Sequence, residues 1–226
     1  MKSLIVLLAA LLLLPASIST AADSAADTPE AMIRSDIDSS QLSLFGLMPG
    51  LSTMGTVISV LGNATPEKVG SGERVFMRLC YVSSAKDDFT KLVFEAPANS
   101  VEGVPGSAVS SIRLYSGDVA YDGAGSCVNS ALVSRDTVTE SGVGLAMSEA
   151  EFIERIGGSP TERWSGFVGF EYHAAERLSK AEVERLKAHW PFVLKYPYLD
   201  IHSSVEARFY KGSLKRLDLS RIVAKP

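Results

Sequence analysis

The chain has 226 residues, with 22 Lys and Arg against 26 Asp and Glu and a formal net charge of −4. That balance argues against nucleic-acid binding, which calls for a basic face, and it disfavours strong electrostatic binding to anionic lipid. No CxxC occurs, and His173, His189 and His202 lack ligand spacing, so neither a metal site nor a cofactor is expected.

Lys2 opens the chain with a positive charge, and residues 4–14 form an unbroken apolar run. Pro15 and the small residues Ser17, Ser19, Thr20, Ala21 and Ala22 follow. Charge, short apolar core and small residues in this order read as a secretory signal peptide over residues 1–22, cleaved after Ala21 or Ala22. A bilayer span takes ~20 apolar residues, so no membrane anchor is expected. A lipoprotein leader would place a Cys at the cleavage point, whereas the first Cys is Cys80. Lys2 is the leader's only charge, so cleavage takes −4 to −5. The mature chain is expected to be soluble and periplasmic or secreted. Residues 23–40 begin small and polar and read as a flexible segment. Within it Thr28 and Pro29 can open a short helix through Ser35.

The next signal is a pair of short helices. Gly50, Leu51 and Ser52 are followed by Met54, Val57, Ile58 and Leu61 at helical spacing, then by Gly62. Ser52 is the predicted N-cap and Gly62 the stop. Met147 and Ser148 are followed by Phe152, Ile153 and Ile156, then by Gly157 and Gly158, and Glu151 completes a capping box with Ser148. Ser52 to Gly62 and Ser148 to Gly158 are the same distance, and the two segments lie ninety-six residues apart. β-rich runs follow each: 74–82, 91–95 and 109–115 after the first, 166–172, 204–210 and 214–222 after the second, with a tight turn at Lys211 and Gly212. The expected fold class is α+β, in two related halves over 41–135 and 136–226. Each half is a short helix followed by an antiparallel meander, packed as a two-layer unit.

Residues 116–144 are rich in Gly, Ser and Asp and read as the connector, with short extended pieces at 131–133 and 137–139. Cys127 lies in it. An even cysteine count in an oxidising compartment favours a Cys80–Cys127 disulfide, which would pin the connector to the first sheet. The second half carries an insertion at 174–203. There Ser179 and Glu182 predict a capped helix through Val183, Leu186 and Trp190 that Pro191 ends. Trp190, Phe192, Tyr196 and Tyr198 crowd this Pro-punctuated segment and are the candidate binding residues, since Trp and Tyr dominate interface hot spots. Trp164 is expected in the core, His173 on the surface, and Asp87 and Asp88 in a solvated turn. His189 and His202 could meet across the insertion. Asn63, in a sequon, is read as a turn after the first helix.

The motifs Gly50-Leu51-Ser52 with Leu61-Gly62, and Met147-Ser148 with Ile156-Gly157, each ahead of a meander, resemble the SmpA/OmlA outer-membrane assembly lipoprotein family and the β-lactamase inhibitory proteins, which repeat such a unit twice. The resemblance covers most of residues 45–222. Ala146 stands where the pattern prefers Gly, and one Cys pair stands where the inhibitors carry a disulfide in each half. It implies a scaffold that binds other envelope or secreted proteins without chemistry of its own. No nucleophile elbow, zinc-protease helix, Walker loop or dinucleotide fingerprint occurs. The expected function is therefore a non-catalytic, exported protein-binding or inhibitory module. The alternatives are a small-molecule or lipid binder using a cleft between the halves, and an enzyme without a familiar motif.

Overall fold

The computed structural model describes residues 37–72, 74–98, 108–121 and 126–224. The expected leader and the helix expected over 29–35 lie outside the described residues.

Residues 37–40, within the segment expected to be flexible, are held in place. Ile37 is buried, Asp38 caps α1 (Ser39–Leu42) by accepting from the Ser40 amide at 2.9 Å, and Leu42 is fully buried. Two apolar anchors hold a stretch whose polarity suggested freedom. Helix α2 (Met54–Leu61) starts one residue later than expected. Its cap is Thr53, whose Oγ1 accepts from the Thr56 amide at 3.1 Å. Ser52 is used otherwise: its Oγ accepts from the Met48 amide, and its carbonyl accepts from the Val109 amide at 2.8 Å. Either hydroxyl could cap the helix locally, and the Met48 amide takes that of Ser52. Gly62, at φ 107°, ends the helix as expected.

The strands after α2 are β1 (Glu67–Ser71), β2 (Arg74–Ser83), β3 (Lys91–Pro97), β4 (Ser111–Tyr115) and β5 (Val128–Ser130). Helix α3 (Glu149–Ile156) follows, with the expected Ser148–Glu151 capping box. Then come β6 (Glu162–Trp164), β7 (Phe167–Arg177), α4 (Lys180–Leu186) with its Ser179–Glu182 box, a 3-10 turn (Pro191–Leu194), β8 (Tyr198–Tyr210) and β9 (Ser213–Ala224). Val109 is not in β4; it bonds the turn before α2. The connector's strand is 128–130, not 131–133 or 137–139, where only an isolated Val138–Gly144 bridge forms. β7 and β8 run deep into the stretch read as an insertion, which shrinks to α4, the 3-10 turn and their joints.

Among the described residues nine strands form one sheet in the order β1-β2-β3-β4-β9-β8-β7-β6, with β5 also on β2. β1 registers with residues 74–78 of β2 and β5, in parallel, with 81–83, so both share one edge of that strand. The expected pair of two-layer units therefore shares a continuous sheet. β4 and β9 join directly, from Ser111 opposite Ser220 to Tyr115 opposite Arg216.

Strand side chains alternate between faces. Leu79, Phe94, Ile112, Leu217, Val205 and Val168 point to the face covered by the helices, where they join Val57, Phe152 and Ile156 in one core. Phe152 lies edge-on to Phe170 and Phe209, with centroids 5.9 and 5.8 Å away. A satellite core of Leu178, Leu186, Trp190, Val193 and Leu199 seats α4 at the far end of the same face, against Val223. Among the described residues all four helices lie on this side, which leaves the opposite face for the chemistry described next.

Candidate interaction surface

Strand register aligns the outer-face residues in transverse rows. One begins with Arg78 opposite Glu95, and the next runs through Val93, Arg113, Asp218 and Glu206. Arg78 Nη2 lies 2.7 Å from Glu95 Oε1, and Arg113 Nη2 lies 2.8 Å from Glu95 Oε2. Arg113 Nε reaches Asp218 Oδ1 at 3.2 Å, and Arg216 Nε reaches Asp218 Oδ2 at 2.7 Å. Five alternating charges thus cross β2, β3, β4 and β9, spanning the β4–β9 junction. Glu95 and Asp218 are buried, and each is held between two guanidinium groups that offset its desolvation. Burial and the Asp218 charge hold the neighbouring Glu206 carboxyl above the usual range, against the opposing pull of Arg208.

A further row pairs cations with rings. Register runs from Lys91 through Tyr115, Arg216 and Arg208 to Phe167 and Trp164. Arg216 lies 5.2 Å from the Tyr115 ring centre, and Arg208 lies 5.5 Å from that of Phe167. Trp164 stacks on Phe167 at 4.7 Å and is 55% exposed, so the expected core position is corrected. β6 is a three-residue edge strand, so only one ring supports Trp164 and its other side faces solvent. Tyr210, also exposed, stands at the hairpin end with Lys211 5.3 Å from its ring.

The Cys80–Cys127 disulfide is present, as expected. Cys80 lies on the outer face opposite Val93, so the bridge draws the connector across the first half. Tyr121 of that connector lies edge-on to Tyr115 at 5.4 Å and near Arg78 and Lys91, at 5.9 and 5.8 Å from its ring centre. Covering the first half leaves the β6–β9 end of the face open.

The residues singled out in the insertion separate. Trp190 is buried in the satellite core and presents no ring to a partner; Phe192 and Tyr196 are exposed, and Tyr198 is half-buried. Leu194, exposed beside them, escaped notice because a lone Leu in a Pro-rich stretch carries no pattern. Trp164, Arg208 and Arg216 were missed as well. Alternation in 213–219 puts Leu217 and Leu219 inside and Arg216 and Asp218 outside, and that period of two was the available signal.

His202 faces His173 across β7 and β8, with ring centres 4.4 Å apart, rather than meeting His189 as suggested. His173 is exposed as expected. Asp87 is exposed, but Asp88 is buried, not solvated. Burial raises the Asp88 carboxyl pKa, yet bonds from Thr90 Oγ1 at 2.6 Å, the Thr90 amide at 3.0 Å and the Arg135 amide at 2.9 Å hold it below the usual range. Beside it lies an open pocket of about 480 Å³, lined among others by Asp87, Asp118, Arg135, Ala146 and Lys215. Lys215 pairs with Asp118 at 2.8 Å. Among the described residues no three His, Cys, Asp or Glu gather to hold a metal.

The face therefore offers a fixed charge lattice and an open aromatic platform. Comparison with family models, with curated proteins and with solved structures finds no match to this chain.

Proposed function

We propose that the protein is an exported binding module without chemistry of its own, docking another envelope or secreted protein on the outer face of its sheet. One observation carries this reading: Trp164, Arg208 and Tyr210 lie open at one end of a face where ion pairs already hold Glu95 and Asp218 with their arginines. Trp, Tyr and Arg are the residue types enriched at interface hot spots. Side chains held in place before binding lose less entropy on docking. Export is supported by the leader pattern and by the disulfide, a bond that persists in oxidising compartments.

The same proposal includes an internal duplication. A helix and four strands occur twice, and the sheet order reads alike from either end. Gly50 and Ala146 precede the two helices with φ of 80° and 68°, which explains the preference for Gly there. The amide of each bonds a carbonyl in the last part of its half, Val109 and Leu214 respectively. These correspondences favour an arrangement of the SmpA/OmlA type, doubled as in the β-lactamase inhibitory proteins.

Photo-cross-linking in the native cell tests the docking face. A photoreactive residue at Trp164 should yield one defined protein adduct that Arg208→Glu removes. The same residue at Val60, on the helix side, should not. Equal adducts from both positions, or none from Trp164, would refute the outer face as the docking site.

A second reading rests on the pocket of about 480 Å³ at the junction of the halves, which suits a small polar molecule. Native mass spectrometry of the purified protein showing a stoichiometric bound mass would favour it.

A further inference from the structure

We propose that the tip of the 3-10 turn, Phe192, Leu194 and Tyr196 with Lys195 among them, docks onto an anionic phospholipid surface. This site is separate from the outer sheet face. Trp190 and Val193 are 6% and 0% exposed and root the turn in the satellite core. The Lys195 and Tyr196 amides both donate to the Phe192 carbonyl at 2.9 Å, closing the turn. With those anchors inward, Phe192 and Leu194 face out at 68% and 64% exposure, and Tyr196 at 46%. Their exposure thus results from a fixed backbone.

Charge selects the occupant. Residues 180–195 hold Lys180, Arg185, Lys187 and Lys195 against Glu182 and Glu184, a basic excess of two in a chain of net charge −4. Glu182 is engaged in its capping box with Ser179, and Glu184 with Lys187. The Lys195 ammonium lies over the Tyr196 ring, 5.1 Å from its centre, which puts a cation beside the exposed apolar side chains. Phe and Leu at an apex, with Tyr and Lys around them, match the composition that sits at the headgroup boundary. A protein hot spot would expose Trp190, which this turn buries. No described helix is long and apolar enough to cross a membrane.

Co-sedimentation of the purified protein with equimolar phosphatidylglycerol–phosphatidylcholine vesicles tests this. Binding should appear, should weaken with salt, and should fall by roughly tenfold or more in Phe192→Ser/Leu194→Ser. Lys195→Glu should weaken it, while Trp164→Ala should leave it unchanged, which separates this site from the docking face. The serine variant alters only exposed side chains, and an unchanged thermal unfolding curve establishes that it is folded. In the otherwise native chain, Phe192→Trp should blue-shift its emission on adding vesicles. Absence of vesicle binding by the parent protein, or equal binding by the serine variant, would overturn the proposal. So would self-association that the serine variant abolishes without any vesicle binding, which assigns the tip to a second copy.

Discussion

Trp164 lies flat on Phe167, with ring planes 16° from parallel, and Arg208 caps the other partner of that stack. Phe167 is buried and Trp164 is not, so the pair divides its labour between a footing and a contact surface. Trp164→Ala should lower partner affinity by about 2 kcal/mol or more while changing thermal stability little, because the ring is largely solvated. Titration calorimetry beside a melting curve separates the two effects.

Gly166 turns the β6–β7 hairpin that presents Trp164. Its φ is 73°, and a Cβ there would stand 2.9 Å from the Phe209 carbonyl oxygen. Gly166→Ala should destabilise the protein by about 1–3 kcal/mol, from backbone strain and from the displaced carbonyl. Urea unfolding measures the loss.

Glu95 holds Arg78 and Arg113 together. Glu95→Gln removes the whole carboxylate charge that Arg78 and Arg113 share and leaves two cations facing each other. The guanidinium groups keep some solvent, so the cost should be about 2–3 kcal/mol, at or below the lower end for a broken buried pair. A double-mutant cycle with Arg113→Met should recover part of it, since removing both charges removes the repulsion.

Asp88 and Glu206 predict opposite pH signatures. The Asp88 carboxyl is lowered in the folded state, so its contribution is present above the ordinary carboxylate value of ~3.9 and is lost as pH falls through the folded value. Asp88→Asn, which also sets an amide N–H against the Arg135 amide, should cost about 2 kcal/mol at neutral pH, and less in acid. The Glu206 carboxyl is raised, so the unfolded chain ionises first and stability falls as pH climbs from ~4.3 through the folded value. Glu206→Gln should therefore stabilise the protein at neutral pH and do nothing below that window. Urea midpoints across pH give both curves.

The disulfide joins cysteines 47 residues apart. Reducing it, or Cys127→Ser with Cys80→Ser, should lower stability by about 2–4 kcal/mol. It should also free Tyr121 from Tyr115, exposing more of the outer face. Tyrosine fluorescence, followed together with urea unfolding, detects both.

The local sequence was enough for the elements whose information is local. Ser148 with Glu151 and Ser179 with Glu182 mark their helices because a capping box is complete within four residues. Gly62 and Gly157 mark ends because each adopts a positive φ. The two cysteines named their own bridge, since only one pairing existed. Tertiary structure decided what rests on distant partners. β1, β5 and β6 are short and largely polar, and exist because β2 and β7 offer them an edge. Asp88 is buried because Arg135, forty-seven residues away, supplies an amide. Trp190 is inside because Leu178, Leu186, Val193 and Leu199 close around it, and Trp164 is outside because its edge strand leaves it uncovered. Hydrophobicity alone does not separate those two positions. The joining of β4 to β9 likewise left no local mark, since it pairs strands about a hundred residues apart and makes one sheet of two meanders.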